Sequence, residues 1–234
     1  MLVTNGVYKT GVTAASRIAV QKLITVQSVN GPTTTIIQGQ SSGSVRCAYL
    51  TNGATLSGFT LRNGYATGDG GGVYCLNANS ILTNCIITGN SSKIEGGGGT
   101  RGSYFNCIIN NNNAKQQGGG VYLGGTFNNC LIAGNSAAYG GGLQYPQALT
   151  NCTVAGNSAT GGGGGGIAAG SGGPSAGIFR NCIVYYNVAS SGGNNIMSAS
   201  ANSVSNCCTP DFYNKSCITN LPGMVDVRGG NYRL

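Results

Sequence analysis

Two acidic residues in this chain stand in the same position relative to a run of glycines. Asp69 directly precedes Gly70–Gly72, and Glu95 directly precedes Gly96–Gly99. If these runs are equivalent parts of a stacked repeat, the two carboxylates lie about 5 Å apart on neighbouring turns. Such a pair allows two kinds of chemistry, which are the binding of Ca²⁺ and the cleavage of a glycosidic bond by a retaining mechanism.

A solvated surface row is the alternative interpretation of the same two acids. Ca²⁺ takes roughly six to eight oxygen ligands, so two carboxylates alone make an incomplete site. Lys93 and Lys115 lie nearby in the repeat, and their charges balance an exposed acidic pair. The sequence leaves both interpretations open, and no cofactor other than Ca²⁺ is expected.

Tyrosines form a second group of candidate functional residues. Tyr74 and Tyr122 each follow a valine after a glycine run, so the alternation of a strand points both outward from one sheet. Together with Tyr139 they could stack on sugar rings as a ligand-binding face. Outward tyrosines are also ordinary strand residues, which leaves a structural role as the alternative.

Composition excludes several classes of function. The chain has no histidine, which removes Ser-His-Asp and Cys-His catalysis and imidazole metal sites. The net charge of +8 arises because the chain has only four acidic residues. Its twelve Lys and Arg residues are scattered singly and form no basic cluster. We therefore expect no nucleic acid as a partner, although weak attraction to an acidic polysaccharide or cell-surface polymer is possible. The sequence contains no run of about 18 apolar residues, so it predicts no membrane span.

An internal repeat indicates the fold. An Asn-Cys pair recurs at Asn84-Cys85, Asn106-Cys107, Asn129-Cys130, Asn151-Cys152, Asn181-Cys182 and Asn206-Cys207. The cysteines are 22, 23, 22, 30 and 25 residues apart, and Gly, Asn and Ser turns divide each unit into about three short strands. This pattern predicts an all-β, right-handed, single-stranded parallel β-helix, a β-solenoid of seven to eight coils with about 22 residues each. Residues 1–234 then form one domain, with regular repeats over 52–207 and an irregular C-terminal segment over 208–234.

Equivalent residues lie above one another in such a stack. We expect the six cysteines of the pairs to form an inward ladder of free thiols, since Cβ atoms about 4.8 Å apart are too distant for a relaxed disulfide. Their asparagines are expected to form a second ladder at a turn, each side-chain amide bonding to the next. Val45-Arg46-Cys47 matches Val73-Tyr74-Cys75, which points both cysteines inward on another sheet. Cys208 and Cys217 flank a loop outside the repeat and are the candidate disulfide.

Several segments of this sequence resemble those of a known family. Arg46–Ala54, Leu56–Gly64 and the Asn-Cys units are similar to bacterial pectate-lyase-like β-helix proteins, and more narrowly to the choice-of-anchor Q group of secreted or surface-anchored proteins. The resemblance covers nearly the whole chain and implies export, attachment through a separate C-terminal signal, and a secreted or bacterial cell-surface location. Neither signal is recognisable here, so we interpret the chain as a segment of a longer protein.

The same resemblance bears on activity. Polysaccharide lyases of this fold hold Ca²⁺ on carboxylates and use Arg or Lys as base, which adds Arg101 to Asp69 and Glu95 as catalytic candidates, although no lyase motif is matched. We expect a secreted or cell-surface module with a structural, adhesive or glycan-binding role and no evident catalytic centre. Two alternatives stay open. One is a polysaccharide lyase or glycoside hydrolase using Asp69 and Glu95, and the other is a solenoid that self-assembles end to end.

Overall fold

Gly, Asn and Ser interrupt the chain so often that no strand in its described part exceeds five residues. The computed structural model describes residues 1–170, 177–197, 203–211, 216–224 and 226. Within these ranges the strands pair in parallel with the turns before and after them, and no helix is long and apolar enough to cross a membrane. The prediction of an all-β parallel β-helix is confirmed, because the chain forms a β-solenoid of about eight turns.

The strands form four sheets, named A to D in their order around a turn, and the first two turns have no strand in sheet C. Sheet A consists of Leu2–Val3, Thr25–Ser28, Thr55–Ser57, Ile81–Thr83, Ser103–Phe105, Thr126–Asn128, Ala148–Thr150, Ile178–Arg180 and Val204–Ser205. Sheet B consists of Gly6–Tyr8, Thr35–Gln38, Thr60–Arg62, Ile86–Thr88, Ile108–Asn110, Leu131–Ala133, Thr153–Ala155 and Ile183–Tyr185. Sheet C consists of Tyr65–Ala66, Ser91–Ser92, Asn113–Ala114, Ser136–Ala137, Ser158–Ala159 and Val188–Ala189. Sheet D consists of Ser16–Val20, Arg46–Leu50, Val73–Cys75, Gly99–Thr100, Val121–Tyr122, Leu143–Gln144, Ile167–Ala168 and Ile196–Met197.

The predicted turn length of about 22 residues holds only for the central turns. The register pairs Leu82 with Tyr104, Tyr104 with Phe127, and Phe127 with Leu149, in steps of 22, 23 and 22 residues. Longer connections widen other turns, such as the 30 residues between Leu149 and Phe179, so the average is roughly 25. Most turns also carry a fourth short strand, because the two residues after Gly64 and after each of Asn90, Asn112, Asn135, Asn157 and Asn187 form sheet C.

Inward side chains of sheets A, B and D fill one hydrophobic core. Tyr104 and Phe127 are among the largest of these side chains, and their rings stack with centroids 5.0 Å apart. Gly99 takes the inward position of sheet D between Val73 and Val121. A Cβ at Gly99 would collide with the Tyr104 hydroxyl, so only glycine leaves room for this ring.

The cysteines of the Asn-Cys pairs lie buried in this core as free thiols, at the edge where sheet A passes into sheet B. We call this row the cysteine ladder. Cys85 Sγ donates to Leu56 O of the preceding turn at 3.5 Å, and Cys207 Sγ lies 3.6 Å from Phe179 O in the same relation. A thiol is a weak donor, so these contacts satisfy the sulfur without bringing water into the core.

The predicted disulfide between Cys208 and Cys217 is not formed, and both residues are free thiols. The residue after Cys217 pairs in parallel with Cys208, so Cys217 lies beside Cys207 and points to the opposite side of its strand from Cys208. Cys217 packs on the core with its Sγ 3.9 Å from Val204 O, which makes it a continuation of the cysteine ladder. Cys208 Sγ instead donates to Asn220 O at 3.3 Å.

The asparagines of the Asn-Cys pairs occupy the corner between sheets A and B. All six have φ between 51° and 54°, a left-handed conformation that Asn adopts more readily than most residues. Their side chains are exposed, and hydrogen bonds join Asn129 to Asn106 and Asn181 to Asn151 but do not form the continuous amide ladder that we predicted. Water competes for exposed amides, so the role of these asparagines is to adopt the left-handed backbone conformation of the corner.

A second row of asparagines forms a continuous amide ladder, whose first five members lie at the corner between sheets B and C and whose last member directly precedes sheet D. This asparagine ladder consists of Asn90, Asn112, Asn135, Asn157, Asn187 and Asn195. Each of the first five donates its side-chain Nδ2 to the Oδ1 of the next member at 2.9–3.1 Å, and its backbone N bonds to the same oxygen. No member is more than 5% exposed, so these bonds supply partners that water cannot.

The asparagine ladder requires glycine at the third position of the glycine runs. A Cβ at Gly98 would lie 2.9 Å from Asn112 Nδ2, and a Cβ at Gly142 would lie 3.1 Å from the Asn157 amide. The backbone therefore passes flat against the amide groups before it enters sheet D.

The two ends of the solenoid differ. Asp211 Oδ2 accepts hydrogen bonds from the backbone N of Asn195 at 2.9 Å and of Ile196 at 2.6 Å, in place of a further turn. The Tyr186 hydroxyl donates to Pro222 O nearby at 3.1 Å. The first turn instead leaves apolar side chains around an opening at the other end of the core. End-to-end assembly stays a prediction.

Replacing Asn135 by alanine tests the asparagine ladder. Its side chain bonds to Asn112, Asn157 and Ile109 O, so N135A leaves several buried groups unpaired at about 1–3 kcal/mol each. We expect the free energy of unfolding in urea to fall by about 3 kcal/mol or more. The exposed Asn113→Ala variant is the control, with an expected change within about 0.5 kcal/mol. Equal effects of the two variants would contradict this account.

Candidate functional site

Sheet D turns one row of side chains outward, and a second row of side chains precedes the glycine runs. The outward strand row is Tyr49, Tyr74, Thr100, Tyr122 and Gln144. The preceding turn row is Asp69, Glu95, Gln117 and Tyr139. Arg46 and the corner residues Arg101 and Tyr145 complete the surface, which we call the tyrosine face.

Glycines with positive φ bring the backbone close beneath this face. The first glycine of the central runs has φ between 58° and 68°. A Cβ at Gly96 would collide with Thr100 Oγ1, and a Cβ at Gly140 would collide with Gln144 Oε1. The strand row therefore folds back over the glycines toward the turn row, which places the two rows of polar groups together.

The structure places Asp69 and Glu95 on neighbouring turns in one row. Gly70 N, directly after Asp69, donates to Glu95 O at 2.9 Å, and Glu95 forms a parallel bridge with Gln117. Both carboxylates are half-buried. The sequence position before a glycine run was therefore sufficient to bring the two acids together.

Arginines accompany both acids. Arg46 Nε donates to the Asp69 backbone O at 3.0 Å, and its guanidinium lies 5.5 Å from the centre of the Tyr74 ring. Arg101, turned outward by a φ of 57°, donates from Nη1 to the Tyr74 hydroxyl at 3.2 Å. Tyr74 thus contacts both arginines, one through its ring and the other through its hydroxyl.

Burial shifts the protonation equilibria in this network. The pKa of Glu95 is raised, first by burial and second by the nearby Asp69 charge, while the Tyr122 hydroxyl and Arg101 act in the opposite direction. Burial and the Glu95 charge raise the pKa of Tyr122 to about 12. Burial also lowers the pKa of Arg46. Glu95 is therefore a carboxyl group that holds a proton more readily than an ordinary glutamate.

Tyrosine rings form two pairs on this face. Tyr49 stacks on Tyr74 with centroids 5.8 Å apart, and Tyr122 meets Tyr145 edge to face at 6.1 Å. Of the three tyrosines that the sequence selected, Tyr74 and Tyr122 lie in the strand row. Tyr139 is 46% exposed and lies at the far end of the turn row.

Sequence reasoning missed Tyr49 because it aligned the wrong residues. The register pairs Ala48-Tyr49-Leu50 with Val73-Tyr74-Cys75, three residues further along than the match between Cys47 and Cys75. The alternation of apolar residues around Tyr49 was the available signal. Cys47 is nonetheless buried, because consecutive backbone amides at Cys47 and Ala48 bond to the same carbonyl and form a bulge.

The donor set does not fit Ca²⁺. The described residues contain no group of three or more His, Cys, Asp or Glu side chains placed to hold a metal ion. Asp69 and Glu95 supply few of the roughly six to eight oxygens that Ca²⁺ requires. A divalent cation beside these acids would also face the guanidinium groups of Arg46 and Arg101.

Comparisons of the chain with protein-family models, curated proteins and solved structures found no match. The parallel β-solenoid is therefore established by the structure itself. The resemblance to pectate-lyase-like and choice-of-anchor Q proteins stays a prediction.

Glu95→Gln tests the raised pKa. Because the folded chain binds a proton at Glu95 more readily than the unfolded chain, its stability decreases as the pH rises above the ordinary glutamate pKa of 4.5. Glutamine cannot ionise, so we expect E95Q to unfold at higher urea concentration than the wild type at neutral pH. This difference should shrink as the pH is lowered through 4.5. Lys93→Gln controls for the altered net charge, and a difference that grows on acidification would contradict the assignment.

Proposed function

We propose that this chain is a glycan-binding module of a secreted or cell-surface protein, with the tyrosine face as its binding surface. The observation that carries the proposal is the pairing of aromatic rings and hydrogen-bonding groups on one outward sheet. Tyr49, Tyr74, Tyr122 and Tyr145 provide ring faces, while Asp69, Glu95, Arg46 and Arg101 surround them.

The chemistry of sugars suits such a surface. A pyranose ring has an apolar C–H face that packs on aromatic rings and a rim of hydroxyl groups that bond to polar side chains. The turns lie about 4.8 Å apart, close to the length of one residue in an extended polysaccharide. Because the face is built on stacked parallel strands, its backbone is held in place before a ligand arrives, which reduces the entropy lost on binding.

The location belongs to the same proposal. The resemblance of the repeats to surface β-helix proteins favours a secreted or cell-surface protein, where polysaccharides are available. An adhesive role follows directly if the bound glycan belongs to another cell or to a matrix.

Tyrosine replacement tests the binding surface. Removing either ring in Tyr74→Ala or Tyr122→Ala should weaken polysaccharide binding about fivefold, and the double variant should lose more than about tenfold. Affinity electrophoresis through gels that contain soluble polysaccharides measures the change. Tyr65→Ala, on the outward side of sheet C, is the matched control and should bind as the wild type does. Unchanged binding by both tyrosine variants would show that the surface is wrong.

A second candidate function is cleavage of the bound polysaccharide. The raised pKa of Glu95 beside the Asp69 carboxylate favours it, since a proton-holding acid next to a second carboxylate is the arrangement of a glycosidase. Arg101 lies near Glu95 and would stabilise negative charge in a lyase reaction.

Reducing-end and unsaturated-product assays test this activity on the polysaccharides that the wild type binds. Glu95→Gln or Asp69→Ala should lower the rate at least about a hundredfold. Lys115→Gln, an exposed variant one turn away, is the control. Cleavage that survives in both acid variants, or an inactive wild type, would remove the enzymatic candidate.

A further inference from the structure

Several buried oxygens on the tyrosine face have no hydrogen-bond partner. Among the described residues eight buried side-chain oxygens are unpartnered, and four of them lie here, namely Asp69 Oδ1, Thr100 Oγ1, Gln117 Oε1 and Gln144 Oε1. Thr100 and Gln144 are only 1% and 3% exposed. Buried polar groups in native proteins are almost always paired, so a ligand that displaced the side chains covering these oxygens would supply the missing partners.

The four oxygens follow a regular path. Consecutive turns each contribute one of them, first from the turn row, then from the strand row, and then from the same two rows again. They therefore form a zigzag line along the solenoid axis, with steps of about one turn spacing, 4.8 Å. Successive residues of an extended β-linked glycan also turn their hydroxyl groups to alternate sides.

The chemistry of the free groups restricts the ligand. A carboxylate oxygen and amide carbonyl oxygens accept hydrogen bonds, and the Thr100 hydroxyl is able to accept one. The cations nearby already donate within the protein, from Arg46 to Asp69 O and from Arg101 to the Tyr74 hydroxyl. Each arginine keeps further N–H groups, but the two acids and the two arginines balance in charge and the unpartnered groups are acceptors, so a ligand carboxylate would gain no net attraction here.

We infer that the tyrosine face takes an uncharged, hydroxyl-rich polysaccharide that lies extended along the solenoid axis and donates hydroxyl hydrogen bonds to these four oxygens. This inference rests on the proposed glycan-binding function. It contrasts with the weak attraction to acidic polymers that the net charge of +8 predicts by itself.

Thr100→Val gives the sharpest test, because valine keeps the shape of threonine and removes only the unpartnered hydroxyl. Affinity electrophoresis would use hydroxyethylcellulose and galactomannan as neutral probes, and polygalacturonate and alginate as acidic probes, at about 0.15 M and about 1 M NaCl. We expect the wild type to bind a neutral probe equally at both salt concentrations. T100V should bind it about two- to tenfold more weakly.

Stability separates a ligand contact from a structural role. The urea midpoint of T100V should equal or exceed that of the wild type, since the variant removes an unsatisfied buried group. Thr153→Val, on the outward side of sheet B, is the control and should leave binding unchanged.

Each of the other outcomes overturns a defined part of this inference. Preference for polygalacturonate or alginate overturns the uncharged ligand but keeps the glycan-binding function. Unchanged neutral binding by T100V overturns the role of the oxygens. A wild type that binds none of the four probes overturns both this inference and the proposed function.

Discussion

From the turn that contains Gly64 to the turn that contains Asn187, each turn of the solenoid is held to its neighbour by a buried amide of the asparagine ladder. The Nδ2 of Asn112 donates to Asn135 Oδ1 and to Ile87 O, and its Oδ1 accepts two hydrogen bonds from Asn90. A shift of one turn relative to the next would leave several buried polar groups without partners, at about 1–3 kcal/mol each. Over these turns the ladder therefore reinforces the parallel register of the four sheets, and with it the position of the cysteine ladder.

The asparagine ladder also positions the candidate site. The third glycine of a run packs against the ladder amide, as Gly98 does against Asn112, and the first glycine, Gly96, lies beneath the outward Thr100 side chain. The run therefore connects the buried ladder to the tyrosine face over very few residues. Like charges are unfavourable in stacked rows, and the Asp69–Glu95 pair is accompanied by arginines on neighbouring positions.

Some features were predictable because they are local and repeated. The Asn-Cys spacing predicted a parallel solenoid, and the position before a glycine run predicted the shared row of Asp69 and Glu95. Other features depend on register outside the regular repeat. The prediction of a Cys208–Cys217 disulfide was wrong, because Cys217 aligns with Cys207 instead. Tyr49 was missed because a bulge at Cys47 shifts the alternation of its strand.

The sequence by itself determined the fold class and the content of each row, because similar residues at a nearly constant spacing bury their apolar side chains by stacking. Only the tertiary structure decided which asparagine row is enclosed. Asn84 and Asn90 belong to the same repeat, yet the corner at Asn84 opens to water while the glycine run closes over Asn90. Tertiary structure likewise brought Arg46, Thr100 and Gln144 to the tyrosine face. Burial and hydrogen bonding at a corner depend on what the rest of the turn places above it, which no single repeat specifies.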